Sequence, residues 1–313
     1  MNSSVISIVD VQKRYQSGDF WRPLKAQALK GVSFEVHQGE LFGLVGLNGA
    51  GKSTLMKLAV GLLRPDSGSV RLFGQDPRSR AARRRFGFLP ELPYFPGYLS
   101  AGEVLSFYGR LQGLRGAELG QRVDKVLETV NLAYAKDEPI RRYSKGMQQR
   151  VGLAQTLLHD PELLFLDEPM SGLDPQGMKE MRDVILAQKA AGKTIFINTH
   201  SLAEVERICD RVAQMHKGRL LLLESVAELV RSHQSKVVLG FPGGLELGAG
   251  LEKLGYPGRL ENKVWTVSVA NEELGRAFEA LRGLLGRAPS VISFGSPLET
   301  AFLAAIQKEG AHA

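Results

Sequence analysis

Apolar and polar positions alternate over residues 5–11, and the same two-residue rhythm returns at Gly31-Val32-Ser33-Phe34-Glu35-Val36. This pattern predicts two half-buried strands joined as a hairpin. The polar connection between them carries Phe20-Trp21, an aromatic pair open to two readings: a partner contact or a local plug. Residues 41–46 then form a short apolar run, followed by a glycine-rich stretch and an apolar helix start at Leu55-Met56. A helix is predicted from Arg78, then a strand over 85–89 and a proline-rich turn over 90–96. Residues 100–112 place Val104, Leu105, Phe107, Tyr108 and Leu111 at helical spacing, with Ser100 three residues before Glu103 as a capping box. Residues 122–130 continue in the same way. The apolar run 163–166 reads as a fully buried strand, and 194–198 as a further strand.

Beyond Arg219 the pattern changes. Residues 220–223 close the first region, 226–231 read as a helix, and a glycine-punctuated segment follows. Residues 236–239, 263–269 and 291–294 read as strands, and 271–285 and 298–308 as helices. The expected organisation is an α/β domain over 1–223 with a helical insert at about 91–160, then a small α+β domain over 224–313.

The chain has 313 residues, which suits about two domains. Its 43% hydrophobic and 23% charged residues are those of a globular protein. No run of about 18 apolar residues occurs and the N-terminus lacks a basic, then apolar, leader, so neither secretion nor membrane spanning is expected. The single cysteine, Cys209, is expected to be a small core residue of a protein in a reducing cytoplasm. A net charge of +7 favours anionic partners without choosing among nucleotide, nucleic acid and an anionic membrane surface. The densest basic run, Arg78, Arg80, Arg83, Arg84 and Arg85, reads as a solvated helix face.

The chemistry begins where the first buried strand ends. Gly46-Leu47-Asn48-Gly49-Ala50-Gly51-Lys52-Ser53 fits G-x-x-x-x-G-K-[ST] between a strand and a helix. Glycines there let backbone N–H groups approach a polyphosphate, and the helix start faces the anion. Lys52 would reach the β and γ phosphates, and the Ser53 hydroxyl would ligate Mg²⁺. Tyr15, at the end of the first strand, is a candidate platform for adenine. Leu163-Leu164-Phe165-Leu166 delivers Asp167-Glu168 at a strand end, with Asp167 suited to hold Mg²⁺ through water and Glu168 to act as general base. His200 emerges from a further strand end, where it could bond the γ-phosphate or orient the attacking water.

Taken with Thr54, Tyr143-Ser144-Lys145-Gly146-Met147 and Ser171-Gly172-Leu173-Asp174, these landmarks resemble an ATP-binding-cassette (ABC) ATPase over about residues 5–219. Within that family the chain most resembles the ATPase subunits of bacterial ABC-2-type exporters. The resemblance implies a P-loop NTPase core, ATP and Mg²⁺ as ligands, and a homodimer closed around ATP. Ser144, Gly146 and Met147 then belong to a signature loop that contacts the ATP of the other subunit, and Asp174 to a loop at the dimer interface. It further implies a separate transmembrane permease as partner, a cytoplasmic location on the inner face of the cell membrane, and no nucleic acid. The alternative is a soluble ATPase of the same superfamily acting on DNA or the ribosome, although a second cassette and a long coiled coil are both missing from the chain.

Two departures stand out. The signature reads Tyr-Ser-Lys-Gly-Met where Leu-Ser-Gly-Gly-Gln is common, and Glu91 stands where the family usually places glutamine. A carboxylate at Glu91 can still meet Mg²⁺ or water, but it adds negative charge near phosphate. Tyr94, Phe95 and Tyr98 on the proline-rich turn are expected to be exposed and to receive the permease. Residues 296–303 resemble the C-terminal extension of exporter ATPases, expected to be a packing or dimer-stabilising module.

Overall fold

The computed structural model describes residues 3–17, 24–232, 236–243, 247–261, 264–286, 288, 291–294, 297–299, 301–302 and 305–306. Phe20-Trp21, Lys263, Ser296, Thr300 and Leu303 lie outside the described residues. The chain divides into two compact units, Met1–Leu223 and Glu224–Ala313.

The first unit opens with β1 (Ser4–Ser17) and β2 (Leu24–His37), an antiparallel hairpin. β1 runs past the predicted end at Val11 because a register shift absorbs a kink at Asp10 (φ 46), whose N–H donates to Ser33 Oγ at 2.8 Å. There follow β3 (Leu41–Gly46), α1 (Lys52–Ala59), β4 (Ser67–Leu72), the short α2 (Arg80–Arg83) and β5 (Phe86–Leu89). Strand β4 pairs with β1, completing a three-stranded sheet in the order β2-β1-β4.

The helical layer consists of α3 (Ala101–Leu111), α4 (Gly116–Thr129) and α5 (Lys145–Leu157). Ser100 and Glu103 form the predicted capping box reciprocally, at 3.2 and 2.8 Å. Gly109 lets α3 approach α4 closely, since a Cβ there would lie 2.4 Å from Leu119 Cδ1.

Next come β6 (Leu163–Asp167), α6 (Pro175–Ala190), β7 (Thr194–Asn198), α7 (Leu202–Ile208), β8 (Arg211–His216) and β9 (Arg219–Ser225). The central sheet has the order β5-β6-β7-β3-β8-β9, with β5, β6, β7, β3 and β8 parallel. Fully buried apolar strands are what such a sheet requires, because it is covered on both faces. At its centre Phe34, Phe42 and Phe196 stack, with centroid separations of 5.2 Å for the first pair and 5.6 Å for the second. Cys209 is buried against Gly43, and burial pushes its thiol well above the ordinary range, as expected of an inert core residue.

The second unit contains α8 (Val226–Ser232), β10 (Lys236–Pro242), α9 (Leu247–Lys253), β11 (Gly258–Glu261), β12 (Val264–Ala270), α10 (Leu274–Leu285) and β13 (Val291–Phe294). Its antiparallel sheet has the order β11-β12-β10-β13. Phe241, Leu251, Trp265, Val267, Ala277 and Leu281 share one core. Asn271–Glu273 is a 3₁₀ turn, so the helix predicted from 271 begins at Leu274.

Phe196 is fully buried and stacks on Phe42. Phe196→Ala is therefore expected to lower the unfolding free energy by about 3–5 kcal/mol. Urea denaturation checks this, and a loss below about 1 kcal/mol would place the ring outside the load of the core.

Candidate active site

The carboxyl ends of β3, β5, β6 and β7 lie along one edge of the central sheet, where parallel α/β sheets place ligands. The loop over residues 46–51 leaves β3 and turns into α1 through Gly51 (φ 104). Lys52, the first residue of α1, is only 7% exposed. Its Nζ donates to the Gly46 carbonyl at 2.7 Å and the Leu47 carbonyl at 3.4 Å, so the loop closes around the ammonium that follows it. Burial lowers the Lys52 pKa, while Glu168, Asp167 and Glu91 pull it back up.

Glycine serves this loop in two ways. A Cβ on Gly46 would stand 2.3 Å from the Met215 carbonyl oxygen of β8, and one on Gly51 would stand 2.6 Å from that of Ala28 in β2. At Gly49 nothing lies within 4 Å, so its left-handed backbone (φ 80) is what favours glycine. Leu47, Asn48 and Ser53 are exposed and Ala50 is buried. The Tyr15 hydroxyl lies 3.4 Å from Thr54 Oγ1, which brings the tyrosine beside the loop with its ring partly open to solvent.

Asp167 ends β6 opposite Asn198 of β7, whose Nδ2 donates to Asp167 Oδ1. Burial raises the Asp167 pKa, the Asn198 bond opposes this, and Glu91 and Glu168 raise it further. Glu168 leaves the strand in a left-handed conformation (φ 48) held by its N–H to the Asn198 carbonyl at 2.8 Å. That turn aims its carboxylate at His200, with Oε2 and Nδ1 2.9 Å apart. The His200 ring is largely exposed, whereas the Glu168 side chain is nearly buried. Asn198 has no role in the sequence reading, and only the strand register reveals it.

Residues 144, 146 and 147 form a separate locality. Ser144 caps α5 and accepts from the Met147 N–H at 3.2 Å. Among the described residues no hydrogen bond or ion pair joins Ser144, Gly146 or Met147 to the phosphate loop, Asp167, Glu168 or His200. Instead Leu173 lies over them, its Cδ2 3.7 Å from where a Gly146 Cβ would be. Asp174 caps α6 by accepting from the Gly177 N–H at 2.8 Å.

Two surface expectations change. Tyr94 and Tyr98 are exposed, but Phe95 is 8% exposed and packs edge-on against Tyr108. The alternation of the turn turns that ring inward. Of the basic run, Arg80, Arg83 and Arg84 are exposed, while Arg78 clamps Asp76 and Arg85 pairs with Glu162.

The residues fit MgATP. Among the described residues no group of three or more His, Cys, Asp or Glu is arranged to hold a metal, but Mg²⁺ at nucleotide sites needs only one or two protein oxygens beside phosphates and water. Ser53 and Asp167 would supply such oxygens, and a cation there would offset both the burial of the Asp167 carboxylate and its repulsion by Glu91 and Glu168.

Comparison with known proteins agrees with this geometry. The sequence profile of the ABC transporter family matches residues 29–171. An uncharacterised ABC transporter ATP-binding protein of Nostoc sp. is 48% identical over 246 residues, covering 78% of this chain and 73% of that protein. A fluoroquinolones export ATP-binding protein of Mycobacterium tuberculosis is 41% identical over 225 residues, covering 70% and 73%. A solved ATP-binding subunit of an ABC transporter superposes with a TM-score of 0.62 at 32% identity, covering 73% of this chain and 93% of that one. With a phosphate loop closed on Lys52 and Asp167-Glu168 and His200 at the adjoining strand ends, the chain belongs to the ABC transporter family and is an ATP-binding, ATP-hydrolysing cassette.

Proposed function

We propose that two copies of this chain close head to tail around two MgATP molecules and drive a separate membrane permease, acting as an exporter at the inner face of the cell membrane. The observation that carries the reading is the division of the site. Lys52, Asp167, Glu168, Glu91 and His200 act on one another, while Ser144 and Gly146 stand apart from them. Gly146 is a helical glycine whose Cβ position meets nothing closer than 3.7 Å in its own chain. Internal packing therefore does not ask for glycine, whereas close approach of a phosphate from another copy would. The export direction is supported by the likeness to a fluoroquinolones export protein. Among the described residues no helix is long and apolar enough to cross a membrane, which supports a separate permease.

In this reading Lys52 and the N–H groups of residues 46–54 hold the β and γ phosphates, and Tyr15 stacks on the base. Ser53 and Asp167, together with Glu91, would hold Mg²⁺, which when bound would supply charge neutralisation of the phosphates. Glu168 takes the proton of the attacking water, and His200 holds that carboxylate in place and faces the γ-phosphate. The division at Leu223 separates this cassette from an accessory domain in 224–313 that packs or stabilises the dimer.

Glu168→Gln is expected to bind MgATP yet hydrolyse it about 10²- to 10⁴-fold more slowly, the scale for loss of a general base. Phosphate release checks the rate, and wild-type turnover would remove Glu168 from that role. The raised Asp167 pKa gives a test with a different readout. Because its ionised form is penalised in the folded chain, the associated stability is present at low pH and is lost as pH rises through the raised value. Asp167→Asn should therefore melt at higher temperature than the parent at neutral pH without nucleotide, and lose the further rise that MgATP gives the parent. A lower melting temperature without ligand would contradict the account of a carboxylate penalised by burial and by its acidic neighbours.

The division of the site is tested by mixing Lys52→Ala with Gly146→Asp. Each homodimer carries a defect in both sites and should be inactive, but a mixed dimer combines an intact Lys52 with an intact signature and regains one site. If confirmed mixed dimers show neither hydrolysis nor retained ATP, each site lies within one chain.

A further inference from the structure

Glu204 is only 4% exposed, and it is not among the acids that act on Lys52. A carboxylate so far removed from water is costly unless it is paired. Arg182 of α6 pairs with it through two bonds, Nε to Oε2 at 2.9 Å and Nη2 to Oε1 at 2.8 Å. Arg207 stands further off, at 3.8 Å. The fork fixes direction as well as distance, because two guanidinium donors meet two carboxylate oxygens.

Both ends of this pair lead to the site. Glu204 lies in the first turn of α7, and its N–H donates at 3.4 Å to the hydroxyl of Ser201, which caps that helix. The Ser201 N–H donates to Thr199 Oγ1 at 3.1 Å, and the Thr199 N–H donates to the Leu44 carbonyl of β3 at 3.1 Å. His200 sits between these two residues with a largely exposed ring, so its direction depends on the turn that carries it. Arg182, for its part, stands on a helix that is held elsewhere. Met181, Val184 and Ile185 bury one face of α6. Glu180 and Arg182 flank Met181 about 200° apart around the helix, so they point to opposite sides. Glu180 accordingly meets Arg150 of α5 at 3.0 Å, while Arg182 meets α7.

We propose that Arg182 is a positioning residue for ATP hydrolysis: through Glu204 it holds the start of α7, and thereby the turn of Thr199, His200 and Ser201, so that His200 meets Glu168. This rests on the roles given above to Glu168 and His200. Asp174 caps the same α6, so the loop before that helix and the turn carrying His200 are tied to one element.

The test replaces the pair together, as Arg182→Met with Glu204→Leu, so that neither charge is left buried alone. Turnover of MgATP should fall about 10- to 100-fold, the scale of a reacting group misplaced by up to about 1 Å, while KM stays within about threefold of the parent. With ring-labelled histidine, the His200 signals, assigned through His200→Ala, should shift or broaden. Those of His159, which meets the Phe86 carbonyl at 3.0 Å, should stay in place. Movement of both in a chain that still melts cooperatively would report a general loosening and overturn the proposal. Made in a His200→Ala background, the same two changes should lower single-turnover hydrolysis by less than about twofold further, since a residue that acts through His200 has nothing left to hold. An equal fall in both backgrounds would place Arg182 outside this role, as would unchanged turnover with His200 present. If the double change prevents folding, Arg182→Lys, which keeps the charge but not the fork, carries the same readings at smaller amplitude, and parent turnover with unmoved His200 signals would sink the assignment. Should Glu168→Gln hydrolyse ATP at the parent's rate, the roles above fall on their own, and the His200 signals still report whether Arg182 holds the turn.

Discussion

A buried ammonium is the constraint on which the rest of the cassette depends. Lys52 is taken out of water at a cost that its surroundings must offset, and two kinds of group do so. The Gly46 and Leu47 carbonyls accept its protons at short range, which fixes the path of the loop. Glu168, Asp167 and Glu91 act through the field, which requires the ends of β5 and β6 to lie near the start of α1. The parallel order β5-β6-β7-β3 meets that requirement, because it brings four carboxyl ends to one edge. The aromatic stack of Phe34, Phe42 and Phe196 holds β2, β3 and β7 together behind that edge.

The same arrangement leaves the site electrostatically unfinished. Three carboxylates share the neighbourhood of one lysine, and the Asp167 pKa is raised, first by burial and further by Glu91 and Glu168, despite its bond from Asn198. Glu168 adds a left-handed backbone, held because Asn198 receives its N–H and His200 meets its carboxylate. Such a site is less stable empty than one built of paired charges, and it gains most from a ligand that brings both phosphate for Lys52 and a divalent cation for Asp167.

Much of this was legible in the sequence because it is local. The glycine loop, the capping box at Ser100 and the apolar strands before Asp167 and Asn198 are written within a few residues. What was not legible depends on partners far along the chain. Gly46 is crowded by the Met215 carbonyl and Gly51 by that of Ala28, reasons for glycine that no motif contains. Asn198 gains its meaning only from the register that sets it against Asp167. The first strand continues past Val11 because Ser33 on the neighbouring strand supports the kink at Asp10. Phe95 turns inward because Tyr108 on α3 offers it an edge, which composition of a proline-rich turn does not reveal.

The signature region shows the opposite imbalance, a surface built with more order than its own chain uses. Ser144 is held by Met147, Asp174 by Gly177, and the loop between Gly172 and Asp174 lies against the start of α5. Yet the helix start has no acidic partner, Gly146 is not crowded, and Lys145 has no counterion among the described residues. Where the phosphate loop concentrates negative side chains around one cation, this region gathers positive potential without an anion. The two localities are complementary in charge and separate in contacts. A triphosphate with its metal carries both signs, so under the proposed head-to-tail closure it would satisfy the two together.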